Sequence, residues 1–262
     1  MSNQSSTERF AQRVENYLRS RPGYPQAVYE HIRATCRLNS SARIVDVGSG
    51  TGLLSKLFLE KGHQVIGVEP NAEMREAGEQ YLGRFERFTS LEGKAEALPL
   101  PDGSADLILA GQAFHWFDPL AFRAETLRVG KAGAWAALVW NSWEPELSPF
   151  LANYDQLLCS FGTDYREVSR QHRRVQEGIN LYFEPSSFSL SEFPTQQRFD
   201  FEGLQGRLLS SSYVPLENDF RHPAMLAELE ALFAEHSVNG EVQFDYLTRV
   251  YLGQPQLTTA EN

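Results

Sequence analysis

The sequence predicts a doubly wound α/β fold: a mostly parallel, seven-stranded sheet with helices on both faces and a helical cap inserted late in the chain. Three observations carry this prediction. From Arg43 onward, short apolar runs alternate with amphipathic stretches of helical period. The first of those runs ends abruptly in a glycine-rich turn, IVDVGSGTG at positions 44–52. Strands that alternate with helices need right-handed crossovers, which produce a parallel sheet covered on both sides.

RIVDVG reads as the first strand, and GLLSKLFLEKG as a helix with Leu53, Leu54, Leu57 and Phe58 on one face and Gly62 at its end. QVIGVEP is the second strand. Asn71 stands where an N-cap is expected, ahead of the helix AEMREAGEQYL. A weaker third strand falls near Arg87 to Leu91, ADLILAG is the fourth, and Pro119 to Val129 reads as its helix. GAWAALVWN is the fifth. Before Arg43 the chain reads as one or two helices broken at RPGYP, since a residue preceding proline avoids helical geometry. After Asn141, segments 147–162, 165–180 and 223–236 look helical, QQRFDF looks like a strand and FDYLTRVYLG is the final strand. The expected organisation is one domain over 1–262, with an N-terminal helical lid at about 8–40 and a cap at about 144–190.

The chain has 262 residues, with 42% hydrophobic and 22% charged, which suits a protein that buries a real core. A formal net charge of −10 works against a nucleic-acid partner, because the surface repels phosphates. Cys36 and Cys159 are too few for a disulfide framework, and the six histidines show no metal-binding spacing. The polar start MSNQSSTERF lacks the apolar core of a signal peptide, and the apolar run Ala132 to Trp140 falls short of the roughly 20 residues a membrane span needs. A cytoplasmic protein without membrane or metal is the expectation. The sequence carries no signal of oligomeric state.

Ligands of open α/β sheets bind beyond the carboxyl ends of the strands, so the glycine turn is the first place to look. Gly48, Gly50 and Gly52 are spaced G-x-G-x-G, and Leu53 occupies the place of the third glycine of a dinucleotide fingerprint. This spacing disfavours a nicotinamide-dependent oxidoreductase. Asp46 precedes the first glycine by two residues; its carboxylate would repel a pyrophosphate but suits an ammonium group. Glu69 ends the second strand about 20 residues beyond Gly48, where an acid grips ribose hydroxyls. A nucleoside with a cationic tail and no phosphates satisfies both, and S-adenosylmethionine is such a molecule.

IVDVGSGTG, GVEPNAEM and GKAEALPLPDGSADLILAGQAFHWFD, in that order, strongly resemble the class I S-adenosylmethionine-dependent methyltransferases over about residues 17 to 142. EGLQGRLLSSSYVP and FDYLTRVYLGQ are similar to a small-molecule branch with an HWFD-type fourth motif. The resemblance implies that Asp46, Gly48, Ser49 and Gly50 hold the methionine portion and Glu69 the ribose. It places Pro70 and Met74 near the adenine, Ala95 and Glu96 at the adenine edge, and Gln112 beside the methionine tail. It makes the RPGYP region a lid, with Arg21 pairing with the cofactor carboxylate and Tyr17 nearby.

Methyl transfer needs alignment and sometimes a base. His115, in AFHWFD, is the candidate base. Phe114, Trp116, Trp140 and Trp143 could wall an apolar substrate pocket, with Asn141 as a polar anchor and His115 facing the acceptor. Nucleic-acid and protein methyltransferases that act on amino groups resemble one another in an Asn/Asp-Pro-Pro-aromatic motif; this chain has Gly111, Gln112, Ala113 and Phe114 there. The expected partner is a small molecule, with a carboxylate or hydroxyl as the acceptor. A binder of the cofactor that has lost catalysis is the alternative. In YREVSRQHRRV, Arg166, Arg170, Arg173 and Arg174 make one helix face basic, which is either a solvated face or a clamp for an anionic substrate.

Overall fold

The computed structural model describes residues 22–256, apart from Ser212 and the side chains of residues 166–174. Its elements in chain order are α1 (Gln26–Cys36), β1 (Arg43–Val47), α2 (Leu53–Leu59), β2 (Gln64–Val68), α3 (Ala72–Leu82), β3 (Phe88–Leu91), β4 (Ala105–Gly111), α4 (Pro119–Val129) and β5 (Gly130–Ser142). They continue with α5 (Pro149–Phe161), α6 (Tyr165–Phe183), β6 (Phe188–Phe199), α7 (Phe201–Leu209), α8 (His222–His236) and β7 (Val242–Gly253). The seven strands form one sheet in the order β3-β2-β1-β4-β5-β7-β6. The ladders β1–β2, β1–β4, β2–β3 and β4–β5 are all parallel.

The chain divides into two compact units. Among the described residues, one holds 23–141, 174–193 and 248–256; the other holds 22, 142–173 and 194–247. In the first unit the period of two along the strands sorts side chains into two cores. Val45, Val47, Ile108, Ala110, Ala136 and Leu138 belong to one cluster. Their neighbours Ile44, Leu107, Leu109, Ala137 and Val139 belong to the other, with Val28, Ile32, Leu54 and Phe58 from the helices. Chain order reverses between β1 and β4, which are adjacent in the sheet, and this is where a doubly wound sheet opens a crevice. The second unit has its own core, including Phe150, Tyr154, Leu158, Leu204, Leu229 and Phe244.

Local chemistry accounts for the element boundaries. The Asn71 side chain accepts the Met74 amide at 3.0 Å and starts α3. Asp118 caps α4 by accepting the amides of Leu120 and Ala121. The late chain departs from expectation. QQRFDF is not a strand throughout: β6 starts at Phe188 and ends at Phe199, so its first residues come from the stretch read as cap. Before the buried Phe199 its residues are only half-buried or exposed, and it carries Pro194, as an edge strand can. Asp200 then accepts the Gly203 amide at 2.8 Å and starts α7, whose two glycines hide its helical character in the sequence. No helix among the described residues is long and apolar enough to cross a membrane.

Candidate functional site

Asp46 lies on β1, between β2 and β4, and is 1% exposed. The Ser55 hydroxyl, from the first turn of α2, donates to its Oδ2 at 2.6 Å. Oδ1 is buried with no hydrogen-bond partner among the described residues. Burial pushes the carboxyl up to about 7; the Ser55 hydroxyl and amide oppose the rise and the charge of Glu69 adds to it. A carboxyl with one buried oxygen unbonded is a strong acceptor waiting for a donor.

The glycine turn follows directly. Gly48, Gly50 and Gly52 have φ of +65°, +54° and +83°, in the left-handed region that a side chain disfavours. The amides of Gly48 and Ser49 donate to the Val68 carbonyl at 2.8 and 3.2 Å, tying the turn to the end of β2. Glu69, 8% exposed, completes the junction. Its Oε2 accepts the Gly50 amide and its Oε1 the Asn71 amide, each at 2.9 Å. One carboxylate therefore fixes both the turn and the entry to α3, and each oxygen keeps lone-pair capacity for another donor. The packing leaves no slack: a Cβ at Gly78 of α3 would stand 2.9 Å from the Gly50 carbonyl oxygen.

Around this centre, Pro70 is exposed and Met74 half-buried, its Cε 3.3 Å from where a Cβ on Gly50 would lie. Ala95 is buried, and Glu96 Oε1 accepts the Asp118 amide at 3.0 Å. The loop carrying both is braced from behind. Arg128 donates to the carbonyls of Leu98 and Leu100 and pairs with Glu125 and Asp102, while Glu125 also accepts the Leu98 amide.

Gln112, one residue past β4, holds φ of +56°, which is strained for a residue with a side chain. Its Nε2 donates to the Asn141 carbonyl at 2.7 Å. The Asn141 side chain in turn donates to the Gly23 carbonyl at 3.2 Å and accepts the Thr248 hydroxyl at 2.6 Å. The Tyr24 hydroxyl comes within 2.7 Å of the place a Cβ on Gly111 would take. Ser55, Tyr24 and Thr248 escaped the sequence reading. Only Ser55 left a signal there, as a lone hydroxyl on the apolar face of GLLSKLFL.

The aromatic residues separate into two kinds. Phe114, 2% exposed, is core: its ring meets Phe117, Phe122, Trp140 and Tyr182 at centroid distances of 5.5 to 6.3 Å. Trp140 is half-buried, edge-on to Phe114 and Tyr251. His115 and Trp116 are exposed on a single 3-10 turn, rings 4.8 Å apart, with Trp116 80% exposed. Trp143 packs in the second unit against Tyr154 and Phe244. Tyr17 and Arg21 lie outside the described residues, as do the side chains of Arg166, Arg170, Arg173 and Arg174. No group of three or more His, Cys, Asp and Glu could hold a metal ion among the described residues.

A family described as a methyltransferase domain matches residues 45–138, from β1 into β5. An uncharacterized methyltransferase of Mycobacterium tuberculosis is 34% identical over 138 residues, covering 53% of this chain and 54% of the relative. The chain thus spans about half the length of that relative. An uncharacterized methyltransferase of Schizosaccharomyces pombe is 26% identical over 243 residues, 91% of this chain and 93% of its own. The ubiquinone/menaquinone biosynthesis C-methyltransferase of Coxiella burnetii is 30% identical over 190 residues, 67% of this chain and 74% of its own. Among solved structures, a protein of Anaeromyxobacter dehalogenans assigned as a type II methyltransferase has the same fold, with a TM-score of 0.65 at 24% identity over 90% of this chain and 99% of that one. With these matches and the ordered motifs from β1 to β4, the chain belongs to the class I S-adenosylmethionine-dependent methyltransferases.

Proposed function

We propose that this chain transfers the methyl group of S-adenosylmethionine to a small-molecule acceptor carrying a carboxylate or hydroxyl. The observation that carries the reading is the buried Asp46 carboxyl, with Oδ1 unbonded, directly ahead of a glycine turn that Glu69 staples in place. When bound, the cofactor supplies an electrophilic methyl on a sulfonium, so the protein's task is alignment and exclusion of water. Asp46 would answer the cationic amino-acid end, and the backbone of Gly48, Ser49 and Gly50 would hold it. Glu69 takes the ribose hydroxyls on its remaining lone pairs. Pro70, Met74, Ala95 and Glu96 would border the adenine, and Gln112 would stand on the methionine side. Arg21 and Tyr17 are proposed to act from the N-terminal lid. The narrow fit between α3 and the turn gives a test. Gly78→Ala, which would favour a helix by about 1 kcal/mol in isolation, should push the Gly50 carbonyl and weaken cofactor binding by about tenfold or more, the loss of one charge-assisted hydrogen bond. Unchanged affinity by calorimetry would remove that packing from the account.

His115 is proposed as the base that takes a proton from the acceptor hydroxyl; its exposure beside Trp116 leaves it reachable. Trp116, Trp140 and Asn141 are the proposed substrate contacts, and Phe114 supports them from the core. His115→Ala should lower turnover about 100-fold or more with cofactor affinity unchanged, the usual scale of general-base catalysis. Equal turnover in the variant would leave acceptor deprotonation to another group. Counting methyl-labelled product from a panel of acids and alcohols tests the reading itself. Cofactor binding without methylation of any acceptor would favour the non-catalytic binder instead. The likeness to the Coxiella burnetii C-methyltransferase gives a second reading, methyl transfer to carbon, which a panel extended to phenols and quinols distinguishes by the product bond.

A further inference from the structure

Arg207, in the last turn of α7, is only 7% exposed. Its guanidinium carbon lies 4.3 Å from the centroid of the Phe244 ring and 5.7 Å from that of Tyr246. Its Nε–H is buried and has no hydrogen-bond partner among the described residues. No carboxylate among them pairs with it; burial works against its charge, while the phenols of Tyr246, Tyr154 and Tyr213 favour it, Tyr246 also through a hydrogen bond to the guanidinium. Tyr154, 1% exposed, also holds a buried hydroxyl without a partner among the described residues. Its ring packs on the same Phe244, at 5.3 Å between centroids. The second unit thus holds, within one aromatic cluster, a buried cationic N–H and a buried hydroxyl that both lack an acceptor among the described residues.

Taking a guanidinium out of water costs several kcal/mol unless an anion and hydrogen bonds offset it. Contact with the Phe244 face returns only about 2 kcal/mol when desolvated. The missing partner is therefore an acceptor, and an anionic one. A carboxylate is the chemistry that answers both, since it offers one oxygen for an N–H and one for an O–H donor. The walls favour an apolar body behind that group: Trp143 lies edge-on to both Tyr154 and Phe244, at 5.6 and 5.7 Å. Trp143, Tyr213 and Gln197 are half-buried, so the cluster reaches the surface on their side. Gln197 is already engaged, accepting the Tyr246 hydroxyl at 2.9 Å.

We propose that the second unit carries a binding site for a small aromatic carboxylate, held by Arg207 and Tyr154. The assignment rests on this unit alone and holds whether or not the first unit transfers methyl groups. Benzoate and phenylacetate, without cofactor, are the probes, with inorganic phosphate as the comparison; thermal unfolding and calorimetry are the readouts. The expected result is stabilisation by millimolar carboxylate that Tyr154→Phe weakens about tenfold or more, one hydrogen bond to a charged group, and that Arg207→Met abolishes. Without ligand, Arg207→Met should melt no lower than the wild type, since it removes a buried charge that no carboxylate among the described residues offsets. If Arg207→Met fails to fold, Tyr154→Phe still decides, because it keeps the ring and the packing. No stabilisation of the wild type by either carboxylate, equal stabilisation of wild type and Tyr154→Phe, or a response to phosphate alone would each overturn the proposal.

Discussion

Asp46→Asn is expected to weaken S-adenosylmethionine binding by about 10- to 100-fold at neutral pH, the scale of a hydrogen bond to a charged group, and to make the fold more stable at the same time. Asparagine keeps an oxygen for the Ser55 hydroxyl and places a neutral amide where the unbonded Oδ1 lies. The two effects share a cause. Burial raises the Asp46 carboxyl to about 7 from 3.8. The folded state therefore binds this proton more tightly than the unfolded chain does. The stability that this preference contributes is full below pH about 4 and is lost as pH rises through about 7. Above pH 7 the ionised, buried carboxylate costs a few kcal/mol in total, at about 1.4 kcal/mol for each tenfold change in proton affinity, and Asp46→Asn recovers it.

Binding of a cation reverses the preference, because an ammonium next to Oδ1 favours the ionised form. Cofactor affinity should consequently rise about tenfold per pH unit between roughly pH 5 and 7 and then level off, while the ligand's own amino group stays protonated. The Asp46→Asn profile should be flat. Dissociation constants measured for both proteins across that range check this. A wild-type profile as flat as that of the variant would detach Asp46 from the ligand's charge.

Glu69→Ala carries the second large effect. The substitution strands the Gly50 and Asn71 amides, each with an unmet hydrogen bond of about 1–3 kcal/mol where water cannot replace the carboxylate. It also removes the proposed ribose contact. Cofactor affinity is expected to fall by about 100-fold or more, from two lost bonds to a charged group, with a lower melting temperature. Glu69→Gln separates the two roles: it retains one acceptor for one amide but turns an N–H toward the other. Its stability should fall between wild type and Glu69→Ala, with affinity still strongly reduced. Full affinity in Glu69→Ala would move the ribose away from β2.

The glycine turn and the end of β2 were legible because their backbone demands particular residues. Positive φ at Gly48, Gly50 and Gly52 needs glycine, and Asn71 is where a helix needs a cap. Strand and helix periods announced β1 to β5 for the same reason, since each core face selects every second residue. What the sequence did not disclose is how side chains distant in the chain meet. Nothing in the string pairs Thr248 with Asn141, or Arg207 with Phe244. Phe114 looked like a pocket wall because an aromatic residue after a strand reads the same whether it faces a ligand or the core. The second unit was the least legible. It is drawn from separated stretches, 142–173 and 194–247, so no single window of sequence contains its core.

The central claim is that the turn after β1 holds a phosphate-free nucleoside with a cationic tail. Calorimetric titration of the full chain with S-adenosylmethionine, S-adenosylhomocysteine and NAD tests it most directly, with Glu69→Ala alongside. The account predicts micromolar binding of the first two, loss of both in the variant, and no heat from NAD. Binding of NAD with no response to S-adenosylmethionine would contradict it, and IVDVGSGTG would then be a turn for pyrophosphate.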